Sequence, residues 1–327
     1  MFKSLAQMRN ILVLLFAFIA QHGFAAEDDE AAWQMLQKSA VAAHALSYQG
    51  IFVCNSGKQS RSVEIKHMFD GQNEFSRNVV LDGAPREVLS QDGNLVIYNP
   101  KNEKIVIEKR RGHNMFPAVL PKNLERIKAN YRLKMGGIER VAGRDAQVLL
   151  LTPKDQLRYQ HHFWVDTEFG LILKSVILNH QNEAIDQIGF SQLNLFNTLN
   201  LDWFKPKIDA NKDYVMEEEN ATDVDTSLSP HWMLKDLPAG YRKVEQMVRK
   251  VRGKDFPVTH VVFSDGLASV SLFIEPLAKD VKPKTGASSV GNTNFYSRAS
   301  GFLQVTSVGE VPAATTASIA NAVVFVK

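Results

Sequence analysis

The chain of 327 residues has a single cysteine, Cys54, which excludes any disulfide within it. Cys54 lies in the apolar run GIFVC and reads as a small buried side chain rather than a redox centre. The short signatures of common catalysts are missing as well. There is no G-x-S-x-G elbow, no G-x-x-x-x-G-K-[ST] loop, no G-x-G-x-x-G and no H-E-x-x-H. Their absence places binding ahead of catalysis and leaves no cofactor or metal to expect. The pronounced basic excess of a nucleic-acid binder is lacking too, with 38 basic against 35 acidic residues.

Long apolar runs are scarce, and the one present is N-terminal. Lys3 and Arg9 precede ILVLLFAFIA (residues 11–20), and Gly23 and Ala25 supply small residues before a cut near Ala25/Ala26. This is the pattern of a secretory signal peptide over residues 1–25, too short and wrongly flanked for a membrane span. The mature chain is expected to be exported. Its length suits about two modules.

Residues 30–46 space Trp33, Leu36, Ala40 and Ala43 as one face of a helix. β-rich runs then follow at 48–54, 62–69, 88–98 and 104–109, with Asp92-Gly93 as a hairpin turn. The segment MFPAVLP (residues 115–121) is apolar but broken by two prolines, so it reads as a lid over an open sheet or as a plug in its core. Phe116, Val119 and Leu120 are the candidate lipid contacts. A short helix at 123–129 leads to strands at 146–152, 158–166, 171–178 and 184–195. These make an antiparallel meander of the size of an open barrel over residues 26–204.

The acidic stretch 205–229 reads as a linker, and a smaller α+β module fills 230–327. That module carries a hairpin across Ser264-Asp265-Gly266, a flexible loop at 282–294, and a small-residue helix after Pro312. Residues 241–252 (YRKVEQMVRKVR) fit a helix by periodicity and a strand by composition. Their positive charges make Arg242, Lys243, Arg249 and Arg252 candidates for an acidic partner or the phosphates of a lipid head group, or else a solvated face.

RYQHHFWVDTEFG (residues 158–170) looks chemical at first sight. On a strand, however, His161 and His162 point to opposite faces and cannot share a metal ion, and Asp166 opens a turn. A hydrolase using His161, His162 or Asp166 is the remaining enzymatic reading.

Five segments in order, REVLSQDGNLVIYNPKNE, WVDTEFGLILKSVIL, the W-x-L-x-x-L-P-A-G-Y beginning at Trp232, VVFSDGLASVSLFIE and VGEVPAATTASIANAV, together resemble the RseB/MucB family of periplasmic regulators. The resemblance implies a mainly β (α+β) fold, with a LolA/LolB-like open antiparallel β-barrel under covering helices and a smaller C-terminal domain. It favours a strand for 241–252. It also implies binding to the periplasmic region of a single-span anti-sigma factor, protection of that factor from its first regulated cut, and release on binding lipid or lipopolysaccharide. Self-association is compatible with it. A periplasmic lipid or lipoprotein carrier is the alternative.

Overall fold

The computed structural model describes residues 29–91, 94–99, 104–109, 115–196, 198, 200–205, 215–218, 232–249, 256–277 and 281–325. The leader expected at 1–25 and the turn expected at Asp92-Gly93 lie outside them.

Helix α1 spans residues 29–45 and buries Leu36, Ala40 and Ala43 as the spacing predicts, while Ala32 takes the fully buried place expected of Trp33, which is half-buried against the same core. It covers a sheet formed by β1 (Tyr48–Ser56), β2 (Gln59–Phe69), β3 (Glu74–Val80), β4 (Glu87–Gln91), β5 (Asn94–Asn99) and β6 (Lys104–Lys109). Helix α2 (Glu125–Asn130) precedes β7 (Tyr131–Val141), β8 (Arg144–Pro153), β9 (Gln160–Asp166), β10 (Ile172–Leu178) and β11 (Ala184–Leu195). A 3-10 turn follows at Leu201–Phe204, then β12 (Val215–Glu218).

These strands form one sheet of twelve, ordered β12-β6-β5-β4-β3-β2-β1-β11-β10-β9-β8-β7. β1 pairs with both β2 and β11, so the first and last long strands of the meander meet at its middle. β12 and β7 are the two ends of the order, and the sheet stays open. At Gly50, where β1 meets β11, there is no room for a side chain. A Cβ on Gly50 would lie 2.3 Å from the Gln192 carbonyl oxygen.

β3 and β7 are among the strands that escape the sequence pattern. β3 turns Ser76 and Asn78 inward, so its buried face carries no apolar alternation. β7 is interrupted by Gly136-Gly137 and a register shift between Met135 and Ile138. The acidic stretch also differs from a simple tether. Its residues Val215–Glu218 run parallel to β6 as an added edge strand.

The second module has a sheet of six, ordered β14-β15-β16-β19-β18-β17. Its strands are β14 (Arg242–Arg249), β15 (Val258–Ser264), β16 (Ser269–Pro276), β17 (Gly286–Val290), β18 (Thr293–Ser300) and β19 (Leu303–Gly309). Helix α3 (Ala313–Asn321) lies on it, with Thr315, Thr316, Ile319 and Ala320 buried. β13 (Trp232–Leu234) pairs with β20 (Val323–Phe325), joining the module's two ends.

Residues 242–249 are therefore a strand. A register shift between Lys243 and Glu245 sets Val244 apart from the ladder, and the extra residue turns a spacing of two into the helix-like spacing of three. The loop expected at 282–294 contains β17. All five of its residues are exposed, so an edge strand held by backbone pairing alone has no apolar signature.

Candidate functional site

Among the described residues the largest wholly buried side chain is Arg158, just before β9. Its Nε donates to Asp265 Oδ2 at 2.8 Å, and its other nitrogens bond Asp155 and the carbonyl of Ala239. Its guanidinium lies 5.0 Å from the centre of the Tyr241 ring.

Asp265 sits at the tip of the β15–β16 hairpin, equally buried. Its Oδ1 accepts the amides of Leu267 and Ala268 at 3.0 and 2.9 Å, and its Oδ2 accepts the Tyr131 hydroxyl at 3.1 Å. Both charges are thus multiply hydrogen-bonded, the condition under which a buried ion pair is tolerable. Burial, and then the Asp265 charge, push the hydroxyls of Tyr131 and Tyr241 well above their usual pKa.

This pair clamps the second module into the first. Leu267 packs on the first module's core, and Thr315 Oγ1 donates to the Leu157 carbonyl at 2.7 Å. Asn292, in the β17–β18 turn, bonds Ser56 Oγ at 3.2 Å and the Ile185 carbonyl.

Beside the clamp lies an interdomain cleft of about 360 Å³. Tyr159, His161 and Ile177 line it from one module, and Leu267, Ser271 and Glu310 are among its walls on the other. Burial lowers the pKa of His161 to about 4, partly offset by Asp265, so the ring is neutral near pH 7. His162 is half-buried on the opposite face beside Trp164, at 6.4 Å. Asp166 is fixed by Arg144 and by the amides of Glu168 and Phe169 at 3.0 and 2.7 Å. The three residues therefore do not converge. Among the described residues no group of three or more His, Cys, Asp or Glu is placed to hold a metal.

A second concavity, of about 530 Å³, opens near the other end of the large sheet. Phe75, Leu89 and Val96 line it from β3, β4 and β5, and Leu201 and Phe204 close one side. The lid expectation requires a correction here. Phe116 and Leu120 are core side chains, and Phe116 packs 5.2 Å from the Phe52 ring and 5.0 Å from Phe190. Val119 is half-buried against the same core. Two prolines prevent a regular element, but the apolar side chains still find the interior, so none of the three lines either concavity.

Of the candidate partner residues, Arg242 and Lys243 are exposed on β14 at the sheet edge. The Lys243 ammonium lies 5.9 Å from the Trp232 ring. The Arg249 side chain and Arg252 lie outside the described residues.

Sequence reasoning missed Arg158 and Asp265 as a pair. Asp265 has a sufficient local explanation as a turn aspartate, and nothing near Arg158 announces a partner 107 positions away.

The model of the MucB/RseB N-terminal domain matches residues 31–208, and that of the MucB/RseB C-terminal domain matches residues 226–324. The chain belongs to the MucB/RseB family. Among its relatives is the sigma factor AlgU regulatory protein MucB of Pseudomonas aeruginosa, 28% identical over 316 residues, with 95% of each chain covered. The sigma-E factor regulatory protein RseB of Haemophilus influenzae is 25% identical over 302 residues, covering 92% of this chain and 93% of that one.

Among solved structures, the MucA/MucB complex of P. aeruginosa matches with a TM-score of 0.73 at 28% identity, over 91% of this chain and 99% of that one. A crystal structure of MucB matches with a TM-score of 0.63 at 27% identity, over 90% and 98%. The likeness spans both modules of this family member.

Proposed function

We propose that this protein is an exported, non-enzymatic regulator that binds the periplasmic region of a membrane anti-sigma factor of the MucA/RseA type. In that role it shields the factor from the first regulated proteolytic cut, and so governs release of an envelope-stress sigma factor. Residues 1–25 direct export to the periplasm. The observation that carries this reading is the match of both family models, in order, to a chain that also superposes on MucB from a MucA/MucB complex.

Lipid or lipopolysaccharide is the proposed releasing ligand. The groove lined by Phe75, Leu89, Val96 and Phe204 has apolar walls and room for part of an acyl chain. A chain reaching Phe116, Val119 and Leu120 would first displace Phe116 from Phe52 and Phe190. Such a ligand releases the partner only by binding the free regulator more tightly than the complex. Arg242, Lys243, Arg249 and Arg252 are the proposed partner contacts, facing acidic residues of the anti-sigma factor.

Co-purification with a cognate anti-sigma periplasmic fragment tests the reading, with and without added lipopolysaccharide. Capture, protection of the fragment from the site-1 protease and loss of both on lipid addition are the expected results. Capture that lipid does not affect ends the sensing mechanism. Failure of capture with retained lipid binding returns the protein to the carrier class.

A further inference from the structure

The end of the second module farthest from the clamp carries an unusual surface. The β15–β16 turn is inserted into the first module, and seven residues of β15 place the opposite end of the sheet about 20 Å away. At that end Arg249 pairs with Val258, Pro276 with Leu303, and Ser300 with Leu303. The start of β15, the end of β16 and the β18–β19 turn therefore lie side by side.

Phe302 occupies the β18–β19 turn and is 84% exposed, the most exposed large apolar side chain among the described residues. Its carbonyl accepts the Leu277 amide at 2.7 Å, so the turn is fixed while the ring is left in solvent. Phe256, two residues before β15, and Val281, four residues after Leu277, are each more than half exposed.

Basic residues share this end of the module. Lys282 and Lys284 are exposed, and the latter is held in place by Gln304, which bonds its backbone in both directions at 2.9 Å. In sequence, the connections 250–257 and 277–285 hold six Lys or Arg against two Asp. Glu275, on β16 at the same end, is half-buried and already engaged.

Aromatic rings on separate connections, with exposed lysines at the same end, do not form the flat complementary patch that a stable protein interface needs. They match a bilayer surface, where phenyl rings enter the headgroup boundary and ammonium groups meet phosphates. We infer that this end of the second module docks on an anionic phospholipid bilayer, with Phe302 and Phe256 inserted at the interface and Lys282 and Lys284 on the headgroup phosphates. The inference goes beyond the proposed partner and does not depend on it.

Co-sedimentation of the mature chain with vesicles of phosphatidylcholine, with and without phosphatidylglycerol, is the test. Binding is expected with the anionic vesicles, weakening as salt rises. F302S with F256S should lower it several-fold, and K282E with K284E about tenfold or more. All four side chains are exposed, so the thermal midpoint should not move. Absence of binding to anionic vesicles at low salt overturns the inference, as does binding that both variants retain. Variants that bind vesicles normally but lose capture of an anti-sigma fragment would reassign the surface to a protein partner. Variants that only abolish self-association without vesicles would reassign it to a second copy.

Discussion

Asp265→Asn is the sharpest single perturbation of this molecule. Asparagine keeps the shape of the side chain and an oxygen for the Leu267 and Ala268 amides, so the hairpin turn survives. It removes the negative charge and turns an amide N–H toward Arg158 Nε, where the wild type has an acceptor at 2.8 Å. Arg158 has no exposure to solvent and keeps only Asp155 and the Ala239 carbonyl. Breaking one side of such a pair costs about 3–5 kcal/mol. The lower half of that range applies here, because Asp155 is partly exposed and remains as a counter-ion.

Arg158→Met should cost a comparable amount. The double variant should cost less than the sum, because no uncompensated charge remains, giving a coupling of about 2 kcal/mol or more. Urea unfolding is the assay. Trp232 reports the second module, while Trp33, Trp164 and Trp203 report the first. The wild type should unfold in one transition. Asp265→Asn should split it, since the modules lose their strongest polar connection. Single costs that add within about 0.5 kcal/mol, with a transition that stays single, would refute the clamp.

Two further outcomes follow from buried titrating groups. His161 has its folded pKa lowered to about 4 by burial, below the unfolded value of 6.5. Unfolding therefore takes up a proton between those limits, so the stability linked to neutral His161 is full above pH 6.5 and lost as pH falls toward 4. The loss reaches about 3 kcal/mol, and His161→Phe should flatten that part of a urea-midpoint series against pH. Burial, and then the Asp186 charge, push the Cys54 thiol up to about 11. Maleimide should label it on the order of 100-fold more slowly near pH 7.5 than an ordinary thiol, with urea restoring the normal rate.

Legibility of the fold tracked how directly each element displayed its burial. Helix α1, β9, β10 and the β15–β16 hairpin declare themselves through apolar periodicity, and each occurs where its spacing predicts. β3 and β17 were hidden because a polar inward face and a fully exposed edge leave no such trace. β14 was ambiguous because its bulge shifts the period. The histidine pair was correctly separated onto two faces by the alternation of a strand alone.

Local pattern determined the mainly β class, the acidic divide between two modules and the absence of familiar catalytic motifs, since these depend on composition and near-neighbour spacing. Only the tertiary structure decided that MFPAVLP is core in the resting molecule, that the acidic stretch lends a strand to the sheet, and that Arg158 meets Asp265. Those facts arise from contacts between residues far apart in the chain. A hydrogen bond across 107 positions leaves no periodicity behind, because neither partner constrains its own neighbours.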